Sequence, residues 1–152
     1  MARSTEMPGH LIRRLHQIST QIFTQRVQAE GSDLTAVQFA ALDALESSPG
    51  IDQAGLAGAV AKDRATIGAV VDRLVQKGLI ARKISERDKR ARELWLTESG
   101  TAALRALAPV VGELQRDILP GLSDDEYRDF IALAARAVTA AEAAESSGAD
   151  QT

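Results

Sequence analysis

A chain of 152 residues, 45% hydrophobic but only 3% aromatic, is long enough to bury a core unaided, and its abundance of small apolar side chains favours closely packed helices. It contains no cysteine, which excludes a disulfide framework, a thiol redox sensor and a cysteine-bound zinc site. The net charge is −3, yet between Lys62 and Arg92 ten Lys/Arg stand against four Asp/Glu, so a basic stretch sits in an otherwise acidic protein.

Residues 1–7 read as a loose arm without an apolar leader. No run approaches the roughly 20 apolar residues of a membrane span, so a cytoplasmic protein with no membrane contact is expected. Pro8 suits the opening of a helix that reaches about Glu30, with Leu11, Ile12, Leu15, Ile18, Ile22, Phe23 and Val27 at helical spacing. Gly31-Ser32-Asp33 ends it. Thr35-Ala36-Val37-Gln38 has the form of a capping box and opens a second helix through Leu45, with Phe39, Leu42 and Leu45 facing inward. After the turn Ser47-Ser48-Pro49-Gly50, Asp52 caps a short helix over Gln53–Val60.

Asp63 caps the next helix, whose apolar stripe is Ile67, Val70, Val71 and Leu74, and Gly78 suits the left-handed position that ends it. Leu79–Ile84 reads as a strand, residues 85–92 as a charged tip, and Glu93–Leu96 as the returning strand. Two helices joined by a tight link and followed by a basic-tipped hairpin form a winged helix-turn-helix. Beyond it, Leu104, Leu107, Val111, Leu114 and Ile118 mark a long helix, within which Pro109 predicts a kink or break near residues 105–109. Ser123-Asp124-Asp125-Glu126 is a second capping box. The final helix carries Tyr127, Phe130, Ile131, Ala134, Ala137, Val138 and Ala141 and fades near Glu145, leaving residues 146–152 as an expected disordered tail.

The expected fold is therefore mainly α, six helices with a small β-hairpin wing between the fourth and fifth. The single chain unit 1–152 would hold a DNA-binding lobe at 34–97 and dimerisation helices at 8–30 and 98–145. The long apolar stripes of the first and last two helices exceed what a small winged helix needs for its own cover. They predict a homodimer, although the same helices folding back within one subunit would also bury them. A two-fold pair of recognition helices reads an inverted repeat in double-stranded DNA.

Chemistry assigns the contacts. Arg64, Ala65 and Thr66 occupy the first turn of the recognition helix, where side chains meet base edges in the major groove. An arginine there spans guanine O6 and N7, and a threonine methyl touches thymine, though Thr66 would equally serve to cap the helix behind Asp63. Arg73 is placed for phosphate or for an ion pair with Asp72. Gln53 opens the preceding helix, where a backbone phosphate contact is natural. Arg90 is the residue expected to enter the minor groove from the wing. Asp88 would orient its guanidinium, and Arg87, Lys89 and Arg92 would add charge toward phosphate.

With these residues in view, the chain resembles the MarR (multiple antibiotic resistance regulator) family over about residues 8–145. The most specific part is Asp88-x-Arg90 followed, after five residues, by Leu96-Thr97-x-x-Gly100. Leu34-Thr35-x-x-Gln38-Phe39-x-x-Leu42 and Val71-Asp72-Arg73-Leu74-x-x-x-Gly78-Leu79-Ile80 support it. The resemblance implies a dimer joined through its terminal helices, and a repressor of a catabolic or efflux operon relieved by a small ligand. His10 and Arg14, at i and i+4 on the first helix, form a candidate carboxylate site. That stretch is similar to members linked to aromatic-acid catabolism, which points to an aromatic acid or its thioester as effector; solvated or ion-paired side chains are the plainer reading.

An enzyme is not expected. There is no cysteine nucleophile, no phosphate-cradling glycine loop and no His-x-x-x-His motif, both histidines lie in one helix, and helix capping accounts for Asp124-Asp125-Glu126. No cofactor or metal is expected from this inventory. The remaining alternatives are a winged helix docking on another protein and a transcriptional activator.

Overall fold

A computed structural model describes residues 3–60 and 63–149, without the side chains of Arg64 and Ala149. Among these residues the elements are α1 (Pro8–Ala29), α2 (Ala36–Ser47), α3 (Gln53–Ala59), α4 (Arg64–Gln76), β1 (Ile80–Ile84), β2 (Arg92–Leu96), α5 (Glu98–Asp117) and α6 (Asp124–Ala149). A single 3-10 turn at Ser4–Glu6 precedes them, inside the arm expected to be loose. The chain divides into two compact units, one through Ile118 and one from Leu119.

Local chemistry sets most of the helix starts. Thr35 Oγ1 accepts the Gln38 N–H while Gln38 Oε1 accepts the Thr35 N–H, the reciprocal box that satisfies two otherwise orphaned donors. Asp52 and Asp63 each cap the helix that follows, accepting from Gly55 N and Thr66 N. At the other end of α4, Gly78 takes φ +74°, a left-handed conformation costly for any side chain with a Cβ.

The core of the first unit draws on every helix in it. Phe23 and Val27 come from α1, Ala41, Leu42 and Leu45 from α2, Leu56 from α3, and Ile67, Val71 and Leu74 from α4. Leu94 of β2 and Leu104, Leu107 and Leu114 of α5 complete it. Phe39 is only partly buried and meets Phe23 edge-to-face, with ring centroids 6.2 Å apart.

β1 and β2 pair antiparallel, with Ile80 opposite Leu96 and Ile84 opposite Arg92. The outer edge of β2 is also used. Gly50 N donates to Leu94 O and Leu94 N to Ile51 O, both at 2.9 Å, so the turn after α2 adds a short third rung to the wing. Gly50 has φ +84°, and a Cβ there would lie 2.8 Å from the Trp95 ring, so both backbone and space demand glycine.

Two expectations are corrected. Of the kink or break expected near residues 105–109, the break does not occur: α5 is one helix from Glu98 to Asp117 with Pro109 inside it. Pro109 and Arg105, whose carbonyl loses its helical donor, are both exposed, so water can solvate that carbonyl while Leu104, Leu107 and Leu114 hold the helix on the core. The tail is shorter than expected, because α6 continues to Ala149; the Ser147 hydroxyl donates to Ala143 O within it. Residues 150–152 lie outside the described residues.

In the second unit, α6 begins with the expected box: Glu126 N donates to Ser123 Oγ and Ser123 N to Glu126 Oε1. This bonding holds the Glu126 carboxyl below its usual range. Ile131, Leu133 and Val138 of α6 are about half exposed or more, as are Leu11 and Ile12 of α1.

Candidate nucleic-acid interface

α4 hides one stripe and offers the opposite face. With Ile67, Val70, Val71 and Leu74 buried, Ala65, Thr66, Ala69, Arg73 and Gln76 point to solvent. Arg64 opens the helix, its side chain outside the described part. Asp63 binds Thr66 twice, through the backbone N–H to Oδ1 and the hydroxyl to Oδ2, both at 2.8 Å. These bonds hold the Asp63 carboxyl below its usual range. The hydroxyl proton of Thr66 is thereby committed to the cap, and only its methyl remains outside it. Gln53 begins α3, and its amide lies 3.3 Å from where a Cβ on Gly68 would stand, which seats the start of α3 closely on α4.

The wing tip is held by its own bonds. Ser85 is buried, and its Oγ accepts the N–H groups of Arg87 and Asp88 at 3.2 and 3.3 Å. Ser85 N donates to Ala91 O, and Ala91 N to Asp88 O, which closes the loop. Asp88 Oδ1 accepts the Arg90 backbone N–H at 3.0 Å. Here the expectation for Asp88 is corrected: it shapes the turn that carries Arg90 rather than gripping the guanidinium, because a carboxylate two residues upstream reaches the backbone donor first. Arg87, Lys89, Arg90 and Arg92 are all exposed around this frame, and Arg92 Nη1 reaches Lys89 O at 3.5 Å.

Several other cations of the basic stretch are engaged within the protein. Arg82 pairs with Asp72 at 2.9 Å and so ties β1 to α4. Lys83 lies over the Trp95 ring, 5.5 Å from its centroid, and Lys77 pairs with Asp33 at 2.9 Å. Arg73 forms no ion pair among the described residues; Asp72, the partner considered for it, is taken by Arg82. Among the described residues, the cations of the stretch left without an ion pair or ring contact are therefore Arg73 and those of the wing tip.

Sequence reasoning missed Ser85, although a Ser opening a turn rich in charged residues is a signal for side-chain-to-backbone bonding. It also missed Lys83 with Trp95. Lys83 pairs in register with Glu93, so Trp95 is its diagonal neighbour, a relation visible only once the hairpin register is known. His10 and Arg14 are not brought together: His10 Nδ1 is 3.1 Å from Arg13 Nη2, and Arg14 Nη1 donates to Gln17 Oε1 at 2.7 Å. Among the described residues no group of three or more His, Cys, Asp or Glu is placed to hold a metal, and no helix is long and apolar enough to cross a membrane.

Known proteins resemble this chain in sequence and in fold. The pattern of the MarR family matches residues 34–91, from the capping box to the wing tip. The transcriptional regulator HosA of Escherichia coli O157:H7 is 35% identical over 124 residues, 82% of this chain and 89% of that protein. Bordetella bronchiseptica BpsR, whose DNA binding is regulated by 6-hydroxynicotinic acid, superposes with a TM-score of 0.85 at 29% identity, covering 91% of this chain and 97% of that one. The transcriptional repressor CouR, solved on a 23-mer DNA duplex, gives a TM-score of 0.76 at 31% identity, covering 90% and 94%. Capped recognition helix, bonded wing and these likenesses together show that the chain belongs to the MarR family of transcriptional regulators, winged-helix proteins that are not enzymes.

Proposed function

We propose that the protein is a homodimeric repressor that reads an inverted repeat in double-stranded DNA and releases it on binding a small aromatic carboxylic acid or its thioester. The observation that carries this reading is the pairing, within one compact unit, of a capped helix with an open first turn and a wing whose free cations are held outward by Ser85 and Asp88. In this reading Arg64, Ala65 and Thr66 meet base edges, and Gln53 and Arg73 hold phosphates. Arg90 enters the minor groove on a turn shaped by Asp88, while Arg87, Lys89 and Arg92 supply charge along the backbone. CouR on its duplex supports the DNA partner and the repressor role.

Dimerisation is supported by apolar side chains left in water. Met7, Leu11 and Ile12 of the first unit are 44%, 48% and 65% exposed, and Ile131, Leu133 and Val138 of the second are 49%, 57% and 56% exposed. Covering side chains of this kind with a second copy recovers the hydrophobic free energy that a monomer forgoes. For the effector, BpsR and its hydroxynicotinic acid support an aromatic carboxylate. The basic start of α1, where His10, Arg13 and Arg14 follow one another within a turn and a half, supplies donors suited to it.

The test is a selection of fragmented genomic DNA by the purified protein at near-physiological salt, followed by sequencing. A shared inverted repeat with half-sites about one helical turn apart is the expected result. No enrichment over bulk DNA removes the reading and leaves a winged helix that docks on protein.

A further inference from the structure

Lys77 follows α4 directly and belongs to the basic stretch, yet its ammonium is turned inward. It lies 2.9 Å from Asp33 Oδ1 and 3.5 Å from Gln38 Oε1, with its side chain only 19% exposed. The Gln38 oxygen it approaches is the same atom that accepts Thr35 N in the capping box of α2. Asp33 stands in the link between α1 and α2, and its carboxyl is held below the usual range, first by the hydrogen bond from Lys77 and further by the charges of Lys77 and Arg73. One turn apart, Arg73 in the last turn of α4 and Lys77 just beyond its end thus act on one carboxylate of a different segment.

We propose that Lys77 is a positioning residue for DNA recognition, which fixes the C-terminal end of the recognition helix to the α1–α2 link through Asp33 and Gln38 and makes no phosphate contact itself. The apolar stripe of α4 decides which face is buried, but apolar contacts are not directional, and a helix resting on them can tilt. Directional bonds at one end restrict that tilt. From Lys77 to Ala65 the helix is about 18 Å long, so a tilt of about 5° moves the base-reading turn by about 1.5 Å, beyond what a hydrogen bond to a base edge tolerates.

The inference rests on the DNA-binding reading above, and the experiment separates the two. Full-length wild type, Asp33→Asn, Lys77→Met and the double variant are titrated across a salt series on a fragment recovered by the genomic selection and on a scrambled duplex of equal length. Asp33→Asn is nearly isosteric on an exposed side chain, so it keeps the test open should Lys77→Met unfold. On the recovered fragment each single variant is expected to bind about fivefold more weakly, and the double variant no worse than either. The slope of log Kd against log salt and the affinity for scrambled DNA stay at wild-type values.

A phosphate-binding Lys77 gives the opposite signs, and either overturns the inference. Asp33→Asn then frees the cation and tightens binding, and Lys77→Met lowers the salt slope by about 0.9, the share of one phosphate. Unchanged affinities with only a lower Tm reduce the pair to a prop of the fold and overturn it as well. A wild type that binds neither duplex removes the DNA-binding reading, and this inference with it.

Discussion

Replacing Gly100 by alanine places a single methyl where the backbone of another element already stands. A Cβ built on Gly100 lies 2.0 Å from the carbonyl oxygen of Leu79 and 3.0 Å from its carbon, well inside ordinary contact, and the obstacle is main chain rather than a side chain that can swing away. Relieving the clash moves the start of α5 or the turn after α4 by more than 1 Å, by comparison with normal carbon–oxygen contact. Three bonds lie in the path of that movement: Thr97 N to Leu79 O at 3.1 Å, the Thr97 hydroxyl to Gly78 O at 2.6 Å, and Gly100 N to Thr97 Oγ1 at 3.0 Å. Overpacking of this kind costs about 1–3 kcal/mol, and weakening two or three hydrogen bonds adds about 1 kcal/mol each, for a total of about 3–6 kcal/mol. For a chain of this length that lowers Tm by on the order of 10 °C. The assay is thermal unfolding followed by far-UV circular dichroism, with Gly112→Ala as the matched control. Gly112 lies in the same helix with nothing within 4 Å of its built Cβ, so there the substitution relieves a helix of glycine and is expected to raise stability by up to about 1 kcal/mol. If Gly100→Ala melts at or above the wild-type temperature, the close approach of α5 to Leu79 is not a constraint and the reasoning fails.

Further outcomes follow from the interface. Arg90→Ala is expected to lose most of the affinity for recovered and scrambled duplexes alike, whereas Arg64→Ala loses discrimination between them by about 1–3 kcal/mol; gel-shift titrations in which both variants behave identically on the two duplexes would contradict that division. Ser85→Ala leaves the N–H groups of Arg87 and Asp88 without their acceptor, so the tip loosens and DNA affinity falls while Tm changes little; an unchanged Kd would show that the tip does not need to be ordered. The carboxyls of Asp33, Asp63 and Glu126 all have folded values lowered by their partners. Their contribution to stability is fully present above the ordinary carboxylate range and is lost as pH falls through the lowered values. The difference in Tm between wild type and Asp63→Asn is therefore expected to shrink below about pH 4, and a constant difference down to acid unfolding would argue against an ionised cap.

What the sequence made legible was chemistry between near neighbours. The caps at Thr35, Asp63 and Ser123 were readable because donor and acceptor are three residues apart, and the hairpin because its alternation and its glycine punctuate it. The continuity of α5 through Pro109 was not, since local propensity argues for a break and only the packing of Leu104, Leu107 and Leu114 overrides it. Nor were the partners of the cations. A count of charges gives Lys77, Arg82 and Lys83 the same weight as Arg90, whereas folding delivers Asp33, Asp72 and Trp95 to the first three and leaves the last exposed. Asp88 shows the same limit at short range: its spacing to Arg90 was visible, but whether it would take the side chain or the backbone N–H was settled by the loop that Ser85 closes.

The indole of Trp95 is the only one in the chain, and it sits at the root of the wing with Gly50 against its ring and the Lys83 ammonium over it. Indole emission responds to nearby charge and to solvent, so this residue is an optical probe placed by nature at the joint between the hairpin and the turn after α2. Any event that pulls the Lys83 ammonium toward a phosphate, or shears the hairpin away from Gly50, changes the light emitted by a single, unambiguous fluorophore. Wing movement in the unlabelled protein can thus be followed in real time, on DNA and off it, without altering one residue.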